Sequence, residues 1–268
     1  MTSETNVMLA GLPQQKNEPA VEPQRTCLVV LNDLAASSLR DGNDHEALRI
    51  FQDALTSLRT GSAEDYAREP HHASSARRSD RSAPLQDLKP LLYSIPAVTD
   101  AANHDLLLKI DSKRSPSNAF SMFDRVFVFH DRQKHLRGEK YALPQVPAVI
   151  MYNIGLVHHR KAIIEGCQIS FERAKELYLM SLRLLEENVT WGVYSSQFNL
   201  LLLALFNNLG HIHSHFYNIP ETARCREQML ITFLWTDCTR LLTKEEYIFF
   251  YMNLLLTAEA WPSLAPAA

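Results

Sequence analysis

Glycine is scarce, with 8 in 268 residues. All-β and dinucleotide-binding folds lean on glycine turns, so the scarcity turns the reading toward helix. Cysteine is also rare. Cys27, Cys167, Cys225 and Cys238 make no CxxC pair and no dense framework, which excludes a disulfide scaffold and suits reduced thiols of an intracellular chain. Long apolar runs are missing. Phe198–Phe206 and Tyr247–Leu256 fall short of the roughly 18–20 residues that span a bilayer, so no membrane span is expected. Charge of one sign is lacking too: 27 Lys and Arg face 30 Asp and Glu, a net −3, so nucleic acid is not an expected partner. Residues 1–24 lack the basic start and apolar core of a signal peptide, and the expected location is cytoplasmic or nuclear. No GxSxG, GxGxxG or phosphate-loop pattern occurs, so neither the motifs nor the acidic pairs Glu186-Glu187 and Glu245-Glu246 suggest an active site.

What is present is helical periodicity over a 46% hydrophobic composition, enough for a substantial core. Residues 1–24 read as a polar, proline-dotted tail. Residues 25–59 carry two amphipathic runs broken at Asp41-Gly42-Asn43, a helical hairpin, with Asn43 and Glu46 spaced as a capping box. Residues 60–86 read as a Ser/Arg/Ala-rich linker, including the basic run ARRSDR. Residues 87–144 switch pattern. LKPLLYSIPAV, DLLLKID and AFSMFDRVFVFHD, where Val126 and Val128 alternate with Phe127 and Phe129, predict two or three short antiparallel strands. Helix resumes over 145–262, with expected elements at 145–165, 170–188 from a Ser170 cap, 194–216, 220–242 from Pro220, and 244–260. Residues 263–268 form a tail.

Three of these helices share a motif: MYNIG at 151–155, FNNLG at 206–210 and YMNLL at 251–255 align Asn153, Asn208 and Asn253. The first hairpin offers LNDLA at 31–35, with Asp33 in the asparagine's place. This resembles the tetratricopeptide repeat, a helix–turn–helix unit of about 34 residues. In the first unit Ala35 is the small crossing residue, followed by Ala47, Phe51 and Ala54. In the second, Gly155 is followed by Ala174, Tyr178 and Ser181 after an enlarged turn; in the third, Gly210 by Ala223. The resemblance implies a mainly α fold, a TPR-like α-solenoid of antiparallel hairpins with a small β-strand insert. It implies a concave groove lined by Asn32, Ala36 and Arg40; by Tyr152, Leu156 and Arg160; by Asn207, His211 and His215; and by Met252 and Leu256. Asn153, Asn208 and Asn253 would stand in a row at its edge.

The stretch HIHSH raises metal chemistry. On a helix His211 and His215 share a face, while His213 points about 200° from His211, so the run supplies at most two ligands to one ion. The glutamate of an HExxH site is missing, since Ile212 and Ser214 lie between the histidines. The expectation is no catalytic residue, metal or cofactor, and His211 and His215 as groove residues.

The function expected is therefore non-enzymatic: a protein–protein interaction module that holds a peptide or partner helix in its groove. Asparagine suits this, offering a donor and an acceptor to an extended backbone. The alternative is a structural or homo-oligomeric protein whose groove is filled by its own insert or by a second copy. A metal-dependent enzyme using His211 and His215 ranks third. The helix over 245–261 is apolar almost all round, and suggests a homo-oligomer contact there, with its inner face packed near Trp235.

Overall fold

The computed structural model describes residues 21–65, 92–97, 120–129, 145–187, 198–237 and 242–259. Among these residues seven helices and one two-stranded sheet form. The helices are α1 (Val21–Arg40), α2 (Asp44–Asp65), α3 (Gln145–Glu165), α4 (Gln168–Glu187), α5 (Asn199–His215), α6 (Ile219–Asp237) and α7 (Lys244–Glu259); the strands are β1 (Leu92–Pro96) and β2 (Arg125–Phe129). No helix among the described residues is long and apolar enough to cross a membrane.

Six helices form three antiparallel hairpins, α1/α2, α3/α4 and α5/α6, and all three turns close alike. One residue takes left-handed backbone angles: Gly42 (φ 82°), Gly166 (φ 69°) or Tyr217 (φ 54°). The next amide then bonds the carbonyl five residues back: Asn43 to Ser38, Cys167 to Ala162, Asn218 to His213. That bond satisfies a carbonyl at the end of the first helix. Only the first two turns use glycine, the residue that tolerates this conformation without strain. The hairpins pack in chain order, α2 against α3, α4 against α5, and α6 against the single helix α7. The first hairpin is thus docked on the later ones.

Element ends differ from the periodicity reading in a few places. α1 begins inside the expected tail, and α2 continues to Asp65, past the expected linker boundary at 59. α4 starts at Gln168, so Ser170 lies within the helix rather than capping it. α6 ends at Asp237 rather than 242. Glu46 makes no capping box with Asn43; its carboxylate accepts from Arg49 at 2.6 and 2.9 Å. A capping box does form at α7, where Thr243 Oγ1 accepts from Glu246 N and Glu246 Oε2 accepts from Thr243 N. The runs ARRSDR and DLLLKID and the tail 263–268 lie outside the described residues.

Small residues set the hairpin approach where expected. Ala35, Ala47, Phe51 and Ala54 are all fully buried in the first hairpin. At Gly155 an added Cβ would stand 2.7 Å from the Tyr178 ring of α4, so Tyr178 fills the space between the paired helices. Gly210 differs. Its would-be Cβ lies 2.7 Å from Phe120, so the nearest neighbour this glycine seats is a ring of the 120–129 segment.

Two antiparallel strands stand in the insert, pairing Leu92 with Phe129 through Pro96 with Arg125. The alternation in β2 does not sort inside from outside: Val126, Phe127, Val128 and Phe129 are all buried. The strand is covered on both faces, as in a sheet enclosed by helices.

Candidate functional site

The first helices of the three hairpins, together with α7, converge on residues 120–129. An extended chain points the backbone groups of alternate residues to the same edge. On one edge of this segment β1 is the partner, continued by Ala97 N donating to Asp124 O at 3.2 Å. Among the described residues no third strand lies on the opposite edge. Side chains of α1, α3, α5 and α7 take that place.

The bonds follow the odd-numbered residues. Asn253 Oδ1 accepts from Ser121 N at 2.6 Å, and Asn207 Nδ2 donates to Ser121 O at 2.8 Å. Asn208 takes Phe123 at both ends, with Oδ1 accepting from the amide at 2.8 Å and Nδ2 donating to the carbonyl at 3.2 Å. Tyr152 OH lies 3.3 Å from both Phe123 O and Arg125 O. Asn153 takes Phe127 at both ends, each at 2.9 Å. Asn32 Nδ2 adds a second donor to Phe127 O at 3.0 Å, and Asp33 Oδ1 accepts from Phe129 N. An amide side chain suits this work because it offers an acceptor and two donors at one tip, matching a peptide's N–H and C=O. Each buried backbone group satisfied this way avoids a penalty of about 1–3 kcal/mol.

Aromatic packing fixes the segment from its faces. Phe123 stacks on Phe250 of α7 with ring centroids 4.9 Å apart and meets Phe249 at 5.2 Å. Phe127 packs edge-on against Tyr152 at 5.0 Å. Between them Asp124 receives Arg160 Nη1 at 2.7 and 2.9 Å, and the arginine side chain is 1% exposed. Asp44 at the start of α2 lies in the same field: burial raises its carboxyl pKa, while Arg160 opposes that rise.

Behind the asparagines runs a second polar layer. Asn208 Nδ2 also approaches Tyr178 OH at 3.3 Å, Tyr178 OH meets His159 Nδ1 at 3.3 Å, and His159 Nε2 meets His211 Nδ1 at 2.9 Å. One neutral tautomer satisfies the set: Tyr178 donates to His159 Nδ1, and His159 Nε2–H donates to His211. Burial, reinforced by His211 and His215, holds the His159 pKa well below its ordinary value. Burial likewise raises the Tyr152 and Tyr178 hydroxyl pKa values. Tyr152, Tyr178 and His159 are thus kept uncharged.

Against the expected groove set, the structure brings together Asn32, Tyr152, Asn153, Arg160, Asn207, Asn208 and Asn253 around residues 121–129. His211 is buried one layer behind, bonded to His159. His215 does not join it; the ring is exposed and stacks on Phe171 at 4.4 Å. Arg40 is exposed and stands apart, Leu156 and Ala36 are core residues, and Met252 and Leu256 are exposed. Trp235 is 73% exposed and does not receive α7; Phe233 does, 5.1 Å from Tyr247. Sequence reading passed over Asp124, Phe120 and Phe123, whose roles depend on a segment far away in the chain. The bond between His159 and His211 carries no signal in the sequence, because nothing local ties the two residues together. Among the described residues no group of three or more His, Cys, Asp or Glu side chains gathers as metal ligands do. Comparison of the chain with family models, with curated proteins and with solved structures gives no match.

Proposed function

We propose that this chain is a non-enzymatic protein–protein interaction module: a TPR-like stack whose asparagine-lined concave groove is built to hold an extended peptide, with residues 120–129 of the chain itself as the peptide. Of the occupants expected from the sequence, an outside peptide or partner helix in the leading reading and the chain's own insert or a second copy in the alternative, the observation that carries the choice favours the insert. Five successive odd-numbered residues, 121 to 129, have backbone groups taken by helix side chains: 121, 123, 127 and 129 from the equivalent positions Asn253, Asn208, Asn153 and Asp33, and 125 from Tyr152. Main-chain bonds give such a groove affinity, while the seats for Phe120, Phe123 and Asp124 give it sequence preference. With the groove so filled, contacts with other proteins fall on the outer helix faces.

The test uses a fluorescent synthetic peptide of residues 118–131. The full chain leaves it free, whereas a folded Phe120→Ala, Phe123→Ala variant, whose own segment is weakened, binds it. Binding of equal strength by both proteins, or none by the folded variant, contradicts the reading.

A further inference from the structure

The buried side of α7 is one stripe: Glu246, Phe250, Asn253 and Thr257, spaced three and four residues apart, with Leu254 beside them. Three successive members of that stripe rest on the insert. Glu246 meets Ser94 of β1, Phe250 stacks on Phe123, and Asn253 takes the Ser121 amide. α3 is placed differently. It holds the same segment through Asn153, but α4 also holds it from behind, where Tyr178 fills the space at Gly155 and Ser181 Oγ donates to Ala148 O at 2.7 Å. Toward α6, α7 turns the half-buried Tyr247, whose ring lies 5.1 Å from that of Phe233.

Glu246 makes this dependence specific. It is 3% exposed, and a buried carboxylate is costly unless its oxygens are hydrogen-bonded. Oε2 accepts from Thr243 N at the start of α7, and Oε1 accepts from Ser94 Oγ at 2.5 Å. Ser94 Oγ in turn accepts from Arg125 Nε at 2.6 Å, and Arg125 Nη2 donates to Ser94 O at 2.9 Å. The seat for this acid is therefore complete only when β1 and β2 are paired. Ser94 stands opposite Phe127 in that pairing, and Asn153 holds Phe127. A continuous line of bonds runs from α3 through the two strands to α7. We propose that α7 is a strap across the groove: its docking and the seating of residues 120–129 are one event, so the occupant leaves only as α7 lifts. The inference rests on the reading of residues 120–129 as the occupant, and names the wall through which that occupant exchanges. Such an opening breaks the contacts of α7 and the insert and keeps the hairpins, so it lies below global unfolding in free energy.

The test is amide hydrogen exchange on the full chain, read by mass spectrometry, in the wild type and in Tyr247→Ala. The variant removes the ring packed on Phe233 and Tyr251, and the insert is read at Val126–Phe129, the end seated on α3 and α1. In the wild type the insert and residues 247–256 are expected to share one protection factor, lower than that of α4. In the variant both should exchange faster by the same factor, roughly fivefold. Unequal protection of α7 and a protected insert in the wild type overturns the strap alone. So does an insert as protected as α4, or a variant in which α7 accelerates by itself. Fast exchange of the insert in the wild type, with or without α7, overturns the reading of the groove and the strap with it. Where Tyr247→Ala does not fold, the wild-type comparison decides.

Discussion

Asn208 holds Phe123 by both of its backbone polar groups, accepting from the amide at 2.8 Å and donating to the carbonyl at 3.2 Å. Asn153 repeats the arrangement on Phe127. A carboxamide thus does what a neighbouring strand does in a sheet. Asn208→Ala or Asn153→Ala leaves a buried N–H without a partner, while the carbonyl keeps its second donor, Tyr152 OH on Phe123 and Asn32 Nδ2 on Phe127. Each variant is expected to lose about 1–3 kcal/mol in urea unfolding. Asn253→Ala, which deprives only the Ser121 amide, loses less. Equal, negligible losses at all three would contradict the ladder.

Gly155 and Gly210 answer to different neighbours. Gly155→Ala drives its Cβ into Tyr178, and Gly210→Ala into Phe120; each overpacking costs about 1–3 kcal/mol. Phe120→Leu is expected to rescue part of the Gly210 variant's loss and none of the Gly155 variant's. A double-mutant cycle measures this, and coupling of Phe120 to Gly155 in place of Gly210 would reverse the assignment.

Arg160 and Asp124 form a pair with the arginine enclosed. Removing one partner strands the other, at about 3–5 kcal/mol for a buried pair. Asp124→Asn is expected to destabilise toward that range, and Arg160→Leu with Asp124→Leu to cost less than either change alone. Additive losses would show that the two charges do not depend on each other.

Acid should loosen the protein through His159. Its folded pKa lies well below the ordinary 6.5 because the ring is buried beside His211 and His215. Between those two values the unfolded chain binds the extra proton and the folded chain does not, so stability rises with pH there. The contribution is complete above 6.5 and is lost as pH falls from 6.5 toward the depressed value, at about 1.4 kcal/mol per pH unit. His158, His213 and His215 are depressed by burial too and act with the same sign. Urea midpoints for wild type and His159→Gln test it: the parent's slope below pH 6.5 should be steeper.

Periodicity made most of the helices legible, because α2, α4 and the apolar first helices are patterned locally. The aligned asparagines were legible as a set, since Asn153, Asn208 and Asn253 each stand before an aliphatic residue, Ile154, Leu209 and Leu254, at equivalent sites. Their shared work on residues 121–129 was not, because no local pattern tells which chain segment an asparagine faces. The third turn was hidden for a different reason. Tyr217 takes the left-handed angles, and a tyrosine gives none of the signal that Gly42 and Gly166 give. Gly210 misled for the same reason that it was noticed: a small residue marks close approach, but not by what.

The most direct test of the groove is amide hydrogen exchange at Phe123 and Phe127, read by NMR in wild type and in Asn208→Ala. Both amides are expected to exchange slowly in the wild type, each held by its own asparagine. In the variant Phe123 should lose its protection by a factor well beyond the global loss of stability, while Phe127, still held by Asn153, should change only with that global loss. Equal protection changes at the two amides, or fast exchange at both in the wild type, would contradict the account.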